Sequence, residues 1–203
     1  MLLLMTASHP TALKCRHAKL GRLAVPRDCA RLDETHAAGI PWAADNGAFA
    51  GLDAAAYVRM LDRLDGVAGC LFVTVPDVVG DAEATRDLWT EWLGECTSRG
   101  LPPAWVAQDG AGPDDIPEAC AAVFVGGSTA YKLGPQSADV IREAKRRGLW
   151  VHMGRVNTLR RLRYAASMGC DSVDGTKWSL WRDASLPVAL RFLAGGDQMR
   201  LTP

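Results

Sequence analysis

The sequence predicts a (β/α)₈ TIM barrel, and three observations carry the prediction. Eight short apolar runs end in polar or glycine-rich corners, stretches with helical spacing lie between several of them, and no run leads into a GxGxxG phosphate-binding fingerprint. Strand-like runs alternating with helices imply a parallel sheet, and eight is the number that closes a barrel. An open doubly wound sheet is the alternative. The missing fingerprint, and polar residues at the ends of many different strands, favour the barrel.

The runs are LLLMTAS (2–8), RLAVP (22–26), PWAADNG (41–47), CLFVTVPD (70–77), PAWVAQDG (103–110), AVFVGGS (122–128), LWVHMG (149–154) and DSVDGT (171–176). Helical spacing appears in DAAAYVRMLDRLDG (53–66), DAEATRDLWTEWLGECTSRG (81–100), SADVIREAKRRG (137–148) and NTLRRLRYAASMG (157–169). These stretches open on Asp, Ser or Asn and close on Gly, the punctuation of capped helices.

A chain of 203 residues, 48% hydrophobic and 23% charged, is long enough for one sizeable core and short for two, so a single domain over 1–203 is expected. Its 23 basic and 23 acidic residues cancel, which removes any global field toward nucleic acid or membrane and requires such binding to be local. Six scattered cysteines (15, 29, 70, 96, 120 and 170) form no CxxC pair and have no histidines at zinc spacing, so no metal and no cofactor are expected. Free thiols fit a reducing compartment. The opening MLLLMTASHP is too short for a signal core and no window approaches a membrane span, so a soluble cytoplasmic protein with no membrane contact is expected.

In a barrel the strand C-terminal ends converge on one mouth. Here they supply Asp45, Asp77, Gln108, Asp109, Gly126, Gly127, Met153 and Asp174. One Asp at a strand end is commonly a cap or turn residue. Several on one small apolar mouth repel one another and are partly desolvated, a costly arrangement unless it performs chemistry.

The ordered set DNGAF, VPD, VAQDG, VGGS, HMG and GCDSVDGT, spread over residues 2–176, resembles the catalytic skeleton of the tRNA-guanine transglycosylase superfamily, closest to its compact, zinc-free DNA-modifying branch of the DpdA type. The resemblance implies a TIM barrel that cleaves the N-glycosidic bond of a guanine-like or modified base. Carried over by position, Asp174 matches the family nucleophile. Asp45 matches the second catalytic carboxylate, as general acid/base or electrostatic partner. Asp77 and Gln108 match the groups that read the base edge, with Gly126 and Gly127 close to it, and Phe49 and Met153 match the pair that sandwiches the base. The sequence departs from the family in lacking the zinc-binding insertion, in reading GGSTAYKLG where the family has GGLAVGE, so that Lys132 replaces a glutamate nearby, and in placing Ala50 after Phe49 where the family has Gln. These departures favour DNA over tRNA.

The chemistry stands on the residues alone. Breaking an N-glycosidic bond builds oxocarbenium character, which one carboxylate stabilises or captures while a second handles the proton of the leaving base. A flipped base needs an apolar slot with acceptors at its edge.

Between Arg142 and Arg163 eight basic residues stand against the single acid Glu143, while 81–118 is strongly acidic. A local phosphate-binding face has this polarity, as do two solvated helix faces. Arg155, Asn157, Arg160 and Arg161 follow a strand end and open a helix, where N–H groups also favour phosphate, and Lys132 and Lys177 are assigned to the same contacts. Trp178 and Trp181 either stack on a strand or close the barrel wall. His9, His17, His36 and His152 show no metal spacing, and His152 is read as a hydrogen-bonded structural residue.

Three functions from different classes remain open: a base-cleaving enzyme ending in excision or exchange, on DNA or tRNA; a barrel hydrolase holding a divalent metal with Asp45, Asp77, Asp174 and His9; and a catalytically silent nucleic-acid-binding module.

Overall fold

The computed structural model describes residues 1–6, 17–27, 39–180 and 182–195. Eight parallel strands, β1 (Leu2–Thr6), β2 (Leu20–Ala24), β3 (Trp42–Ala44), β4 (Cys70–Thr74), β5 (Pro103–Ala107), β6 (Ala122–Val125), β7 (Trp150–Met153) and β8 (Ser172–Asp174), form a barrel in sequence order. It closes where β8 pairs back onto β1, with Leu3 opposite Val173. The barrel fold is therefore as the sequence predicts, strand for strand.

Seven helices are described: α1 (Ala54–Leu64), α2 (Ala82–Thr97), α3 (Thr129–Lys132), α4 (Pro135–Arg146), α5 (Leu159–Ser167), α6 (Thr176–Leu180) and α7 (Arg182–Leu193). Asp53 and Asp81 cap α1 and α2 by accepting from the N–H groups of Ala56 and Ala84. The cap of α5 is Thr158, whose hydroxyl accepts from Arg161 N, rather than Asn157. Helix α4 begins earlier than its serine suggests, with Pro135 in the first turn. The three helices with no forecast lack the usual signals, since α3 is a single turn, α6 holds five residues, and α7 carries Pro187 in its interior.

Strand alternation separates two apolar layers. Leu4, Leu23, Ala43, Phe72, Ala104 and Ala122 fill the barrel interior. Trp42, Trp105, Val123, Val151, Met153 and Val173 face outward and pack with helix residues such as Tyr57, Leu61, Ile141 and Leu162. One irregularity sets the site: the register runs from Trp42 opposite Cys70 to Ala44 opposite Val73, so β4 holds one extra residue. Leu71 and Phe72 both join the interior, Val73 returns to the outer layer, and Thr74 is turned to the barrel mouth.

The basic tract splits in two. Helix α4 leads into β7, so its last turn lies at the end of the barrel opposite the mouth. There Lys145 pairs with Asp171 at 2.7 Å, Arg146 and Arg147 pair with Glu143, and Arg142 pairs with Asp139. These four cations share three carboxylates on the face away from the mouth, the arrangement of the solvated-helix alternative, while Arg155, Arg160 and Arg161 lie toward the mouth. Ser8, His9, Cys15, Cys29, His36 and Trp181 lie outside the described residues. Among the described residues no helix is long and apolar enough to cross a membrane.

Candidate functional site

A cavity at the C-terminal ends of the strands is lined by Asp45, Phe49, Thr74, Asp77, Val79, Val106, Gln108, Phe124, Gly126, Gly127, Lys132, Gly154, Arg155 and Asp174. Nine of the residues singled out from the sequence thus meet in one place: Asp45, Phe49, Asp77, Gln108, Gly126, Gly127, Lys132, Arg155 and Asp174.

Asp45 follows β3 and its Oδ1 accepts from Gly47 N at 3.1 Å, the tight turn that the Asn-Gly pair provides. The side chain is half-buried and lines the cavity. That burial pushes its carboxyl up to about 7, with the charges of Asp174 and Asp77 adding to the rise and the Gly47 N–H opposing it. Asp77 is buried, which also raises it, against two donors: Asn46 Nδ2 at 2.8 Å and Gln108 Nε2 at 2.5 Å. Gln108 Oε1 accepts in turn from Gly80 N. Asn46 is the hub of this corner. Its own N–H reaches Thr74 Oγ1 at 2.8 Å, its Nδ2 also reaches Val75 O, and its Oδ1 accepts from Ala48 N, so it binds β3 to β4.

Asp174 ends β8. Its Oδ1 accepts from Arg155 N at 2.9 Å and lies 3.1 Å from His152 Nε2, while no described donor reaches Oδ2. His152 is fully buried, its ring 5.2 Å from that of Phe72 and 4.6 Å from that of Phe124, with Nδ1 2.8 Å from Ser172 Oγ. The structural, hydrogen-bonded reading of His152 holds, but its partner is the candidate nucleophile.

Glycines keep the cavity open. A Cβ on Gly154 would lie 2.6 Å from the Phe124 ring, and one on Gly126 would lie 3.0 Å from both Gln108 Nε2 and Val106 Cγ1. Gly127 has φ +74, and Asp109 accepts there from Ser128 N and Oγ, so Asp109 fixes the turn into α3 instead of lining the cavity.

Phe49 stands at the rim, 66% exposed, with the Arg155 guanidinium 3.9 Å above its ring centre. Arg155 has φ +58, the single positive φ outside glycine among the described residues. Met153 is only 1% exposed and points the other way, into the outer apolar layer. Its expected place against a base is therefore wrong: period-two alternation turns His152 and Gly154 inward and Met153 outward, and the apolar walls are Phe124 and Val106. Arg160 is exposed on α5, Arg161 reaches Thr129 Oγ1 at 3.3 Å, and Lys177 is exposed beside Trp178, so these three stand outside the cavity. Trp178 is buried and donates to Val156 O at 2.6 Å, closing the barrel wall. Among the described residues no group of three or more His, Cys, Asp and Glu side chains is arranged to hold a metal ion.

No protein-family profile matches the chain, and no curated protein does. Solved structures do match. Tryptophan synthase from M. tuberculosis superposes with a TM-score of 0.54 at 16% identity over 96% of this chain and 90% of that one. The HpcH/HpaI aldolase from Desulfitobacterium hafniense DCB-2 gives 0.54 at 13% identity over 93% and 92%. Of a mandelate racemase/muconate lactonizing enzyme-like protein from Rubrobacter xylanophilus DSM 9941 the chain spans only 45%, with 76% of itself covered, 13% identity and a TM-score of 0.49. At these identities the likeness is one of fold.

Proposed function

We propose that the protein is an enzyme that cleaves the N-glycosidic bond of a guanine-like or modified base in DNA. One observation carries the reading: two carboxylates of contrasting environment share one cavity. Asp45 is raised to about 7 by burial, which suits an acid, and Asp174 is anchored through Oδ1 with Oδ2 left without a donor. Pairs of carboxyl groups with divergent environments are how hydrolytic sites divide acid and nucleophile roles.

In this mechanism the C1′–N bond breaks with its electron pair moving to the base nitrogen, and Asp45 supplies the proton that nitrogen takes up. Asp174 Oδ2 captures C1′ or holds the sugar cation by charge. Water then completes excision, or an incoming base completes exchange, with Asp45 accepting the proton released. Asp77 and Gln108, which both line the cavity, are assigned to the base edge, and Phe49 to stacking, worth roughly 1–3 kcal/mol per base. The ordered resemblance to the transglycosylase superfamily supports the same assignment.

The test is incubation with modified and unmodified DNAs and tRNAs, with and without free base, and mass spectrometry of what is released. Wild-type protein should release a base and Asp174→Asn none, since a neutral amide neither captures nor stabilises the cation. Release by Asp174→Asn at the wild-type rate would sink the assignment.

A further inference from the structure

The cavity has a polarity that the two-carboxylate chemistry leaves unused. Asp45 and Asp77 line the side built after β3 and β4, whereas Lys132 lines the side built after β6, and Arg155, which follows β7, carries its guanidinium to the rim over Phe49. Lys132 ends α3, whose start is fixed by Asp109 holding Ser128, so its place is set by the fold. Only 6% of Lys132 is exposed, and among the described residues its ammonium group makes no hydrogen bond or ion pair. Asp77 and Asp174, buried to a similar degree, each have two donors.

The Lys132 ammonium is not sealed inside protein but opens on the cavity, and a cation that has lost most of its water there without gaining a protein partner is complemented by a group from outside. Burial above all, then the Arg155 guanidinium, pushes Lys132 down to about 8, with Asp174 pulling the other way. At pH 7 the protonated form still dominates. Ammonium offers donors only, and with a second cation alongside, the complementary group is an anion.

We propose that Lys132, with Arg155 beside it, forms an oxyanion subsite of this cavity, taking a negatively charged oxygen group of the substrate. The two sources, a phosphate of the strand or a carboxylate carried by the base, rest on the nucleotide reading above. The cavity then binds a bipolar ligand, with N–H donors toward Asp45 and Asp77 and an anion toward Lys132.

The probes are inorganic phosphate and sodium acetate, at constant ionic strength, with thermal melting of wild type, Lys132→Met and Lys132→Arg. An anion that binds the native state raises its Tm with concentration. The expected result is a rise in wild type, a smaller rise in Lys132→Arg, and none in Lys132→Met, which without anion should melt at or above wild type because the buried charge is gone. A rise with phosphate alone assigns the strand, and a rise at least as large with acetate assigns the base. Should Lys132→Met not fold, acetic anhydride labelling of the wild-type protein gives the same answer, with phosphate or acetate slowing modification of Lys132 relative to exposed Lys177. No rise with either anion, an equal rise in Lys132→Met, or labelling of Lys132 that neither anion slows overturns the subsite. Neither measurement reads base release, so the subsite and the glycosidic reading can fail separately.

Discussion

His152 Nε2 stands 3.1 Å from Asp174 Oδ1, and the other side of the same ring meets Ser172 Oγ, which Trp150 Nε1–H reaches at 2.9 Å. A carboxylate oxygen accepts, so the tautomer that satisfies the chain has its proton on Nε2. Nδ1 then accepts from the Ser172 hydroxyl, and a Ser172 lone pair takes the indole N–H. Three inward groups from β7 and β8, Trp150, Ser172 and His152, thus aim one carboxylate.

Replacing His152 should reveal this aiming. A hydrogen bond to a charged group contributes about 1.5–3 kcal/mol, so His152→Phe is expected to slow base release roughly ten- to hundredfold, in kcat more than in KM. Steady-state kinetics on the released base checks it, and an unchanged kcat would reduce His152 to packing. His152→Ala, which empties the space between Phe72 and Phe124, should in addition cost about 2–4 kcal/mol in denaturant unfolding.

The raised Asp45 predicts two pH effects of the same origin. Its pKa is about 7 folded against 3.8 unfolded, so the native state holds the extra proton between those values. This contribution to stability is fully present below pH 4 and is lost as pH rises through 7. Relative to Asp45→Asn, wild type should therefore become less stable from pH 5 to pH 8, as urea titrations would read. Base release should fall over the upper part of that window as the acid deprotonates. A wild-type minus Asp45→Asn difference that is flat from pH 5 to 8 would contradict the raised carboxyl.

Salt dependence separates the mouth from the opposite face. Arg155→Ala and Arg160→Ala should weaken binding to any DNA sequence and each lower the slope of log affinity against log salt by roughly 0.7–0.9. Arg142→Ala and Arg146→Ala, whose partners are Asp139 and Glu143, should leave the slope unchanged. Equal slopes in all four variants would remove DNA phosphates from the argument.

Asn46 predicts a loss that no carboxylate variant reproduces. Asn46→Ala keeps the main-chain bond to Thr74 but strips Asp77 of one donor, Val75 O of another and Ala48 N of its acceptor, and an expected destabilisation of about 2–3 kcal/mol comes with loss of choice among bases. Chemical denaturation and competition between bases would read the two effects. Wild-type values in both would leave Asn46 as a turn residue only.

The eight strands and the helices α1, α2, α4 and α5 were legible because each carries its own local signal: a short apolar run, a cap, a closing glycine. Asp45, Asp77, Gln108 and Asp174 were legible for the same reason, as polar endings of apolar runs. Met153 was not, because β7 is buried on both faces and its four residues do not tell which alternate set points inward. Reading alternation back from the glycine of HMG favours His152 over Met153, a weak signal that was there. The extra residue in β4, which turns Thr74 to the mouth, is a matter of pairing with β3 and leaves no mark in its own sequence. Asn46 was visible as a turn former, but its reach across to Asp77 depends on that same pairing.

Arg155 bonds Asp174 with its main-chain N–H and covers Phe49 with its side chain, all from a left-handed backbone. In a saturation library, position 155 would consequently report on two unrelated properties at once. Glycine and asparagine suit φ +58 and keep the amide, so they should fold well while losing the stack; valine and isoleucine should score worse than loss of charge explains. Proline alone among the replacements deletes the donor to Asp174 and cannot reach that φ, so the tolerance profile at this one site distinguishes backbone from side-chain contributions without any second mutation.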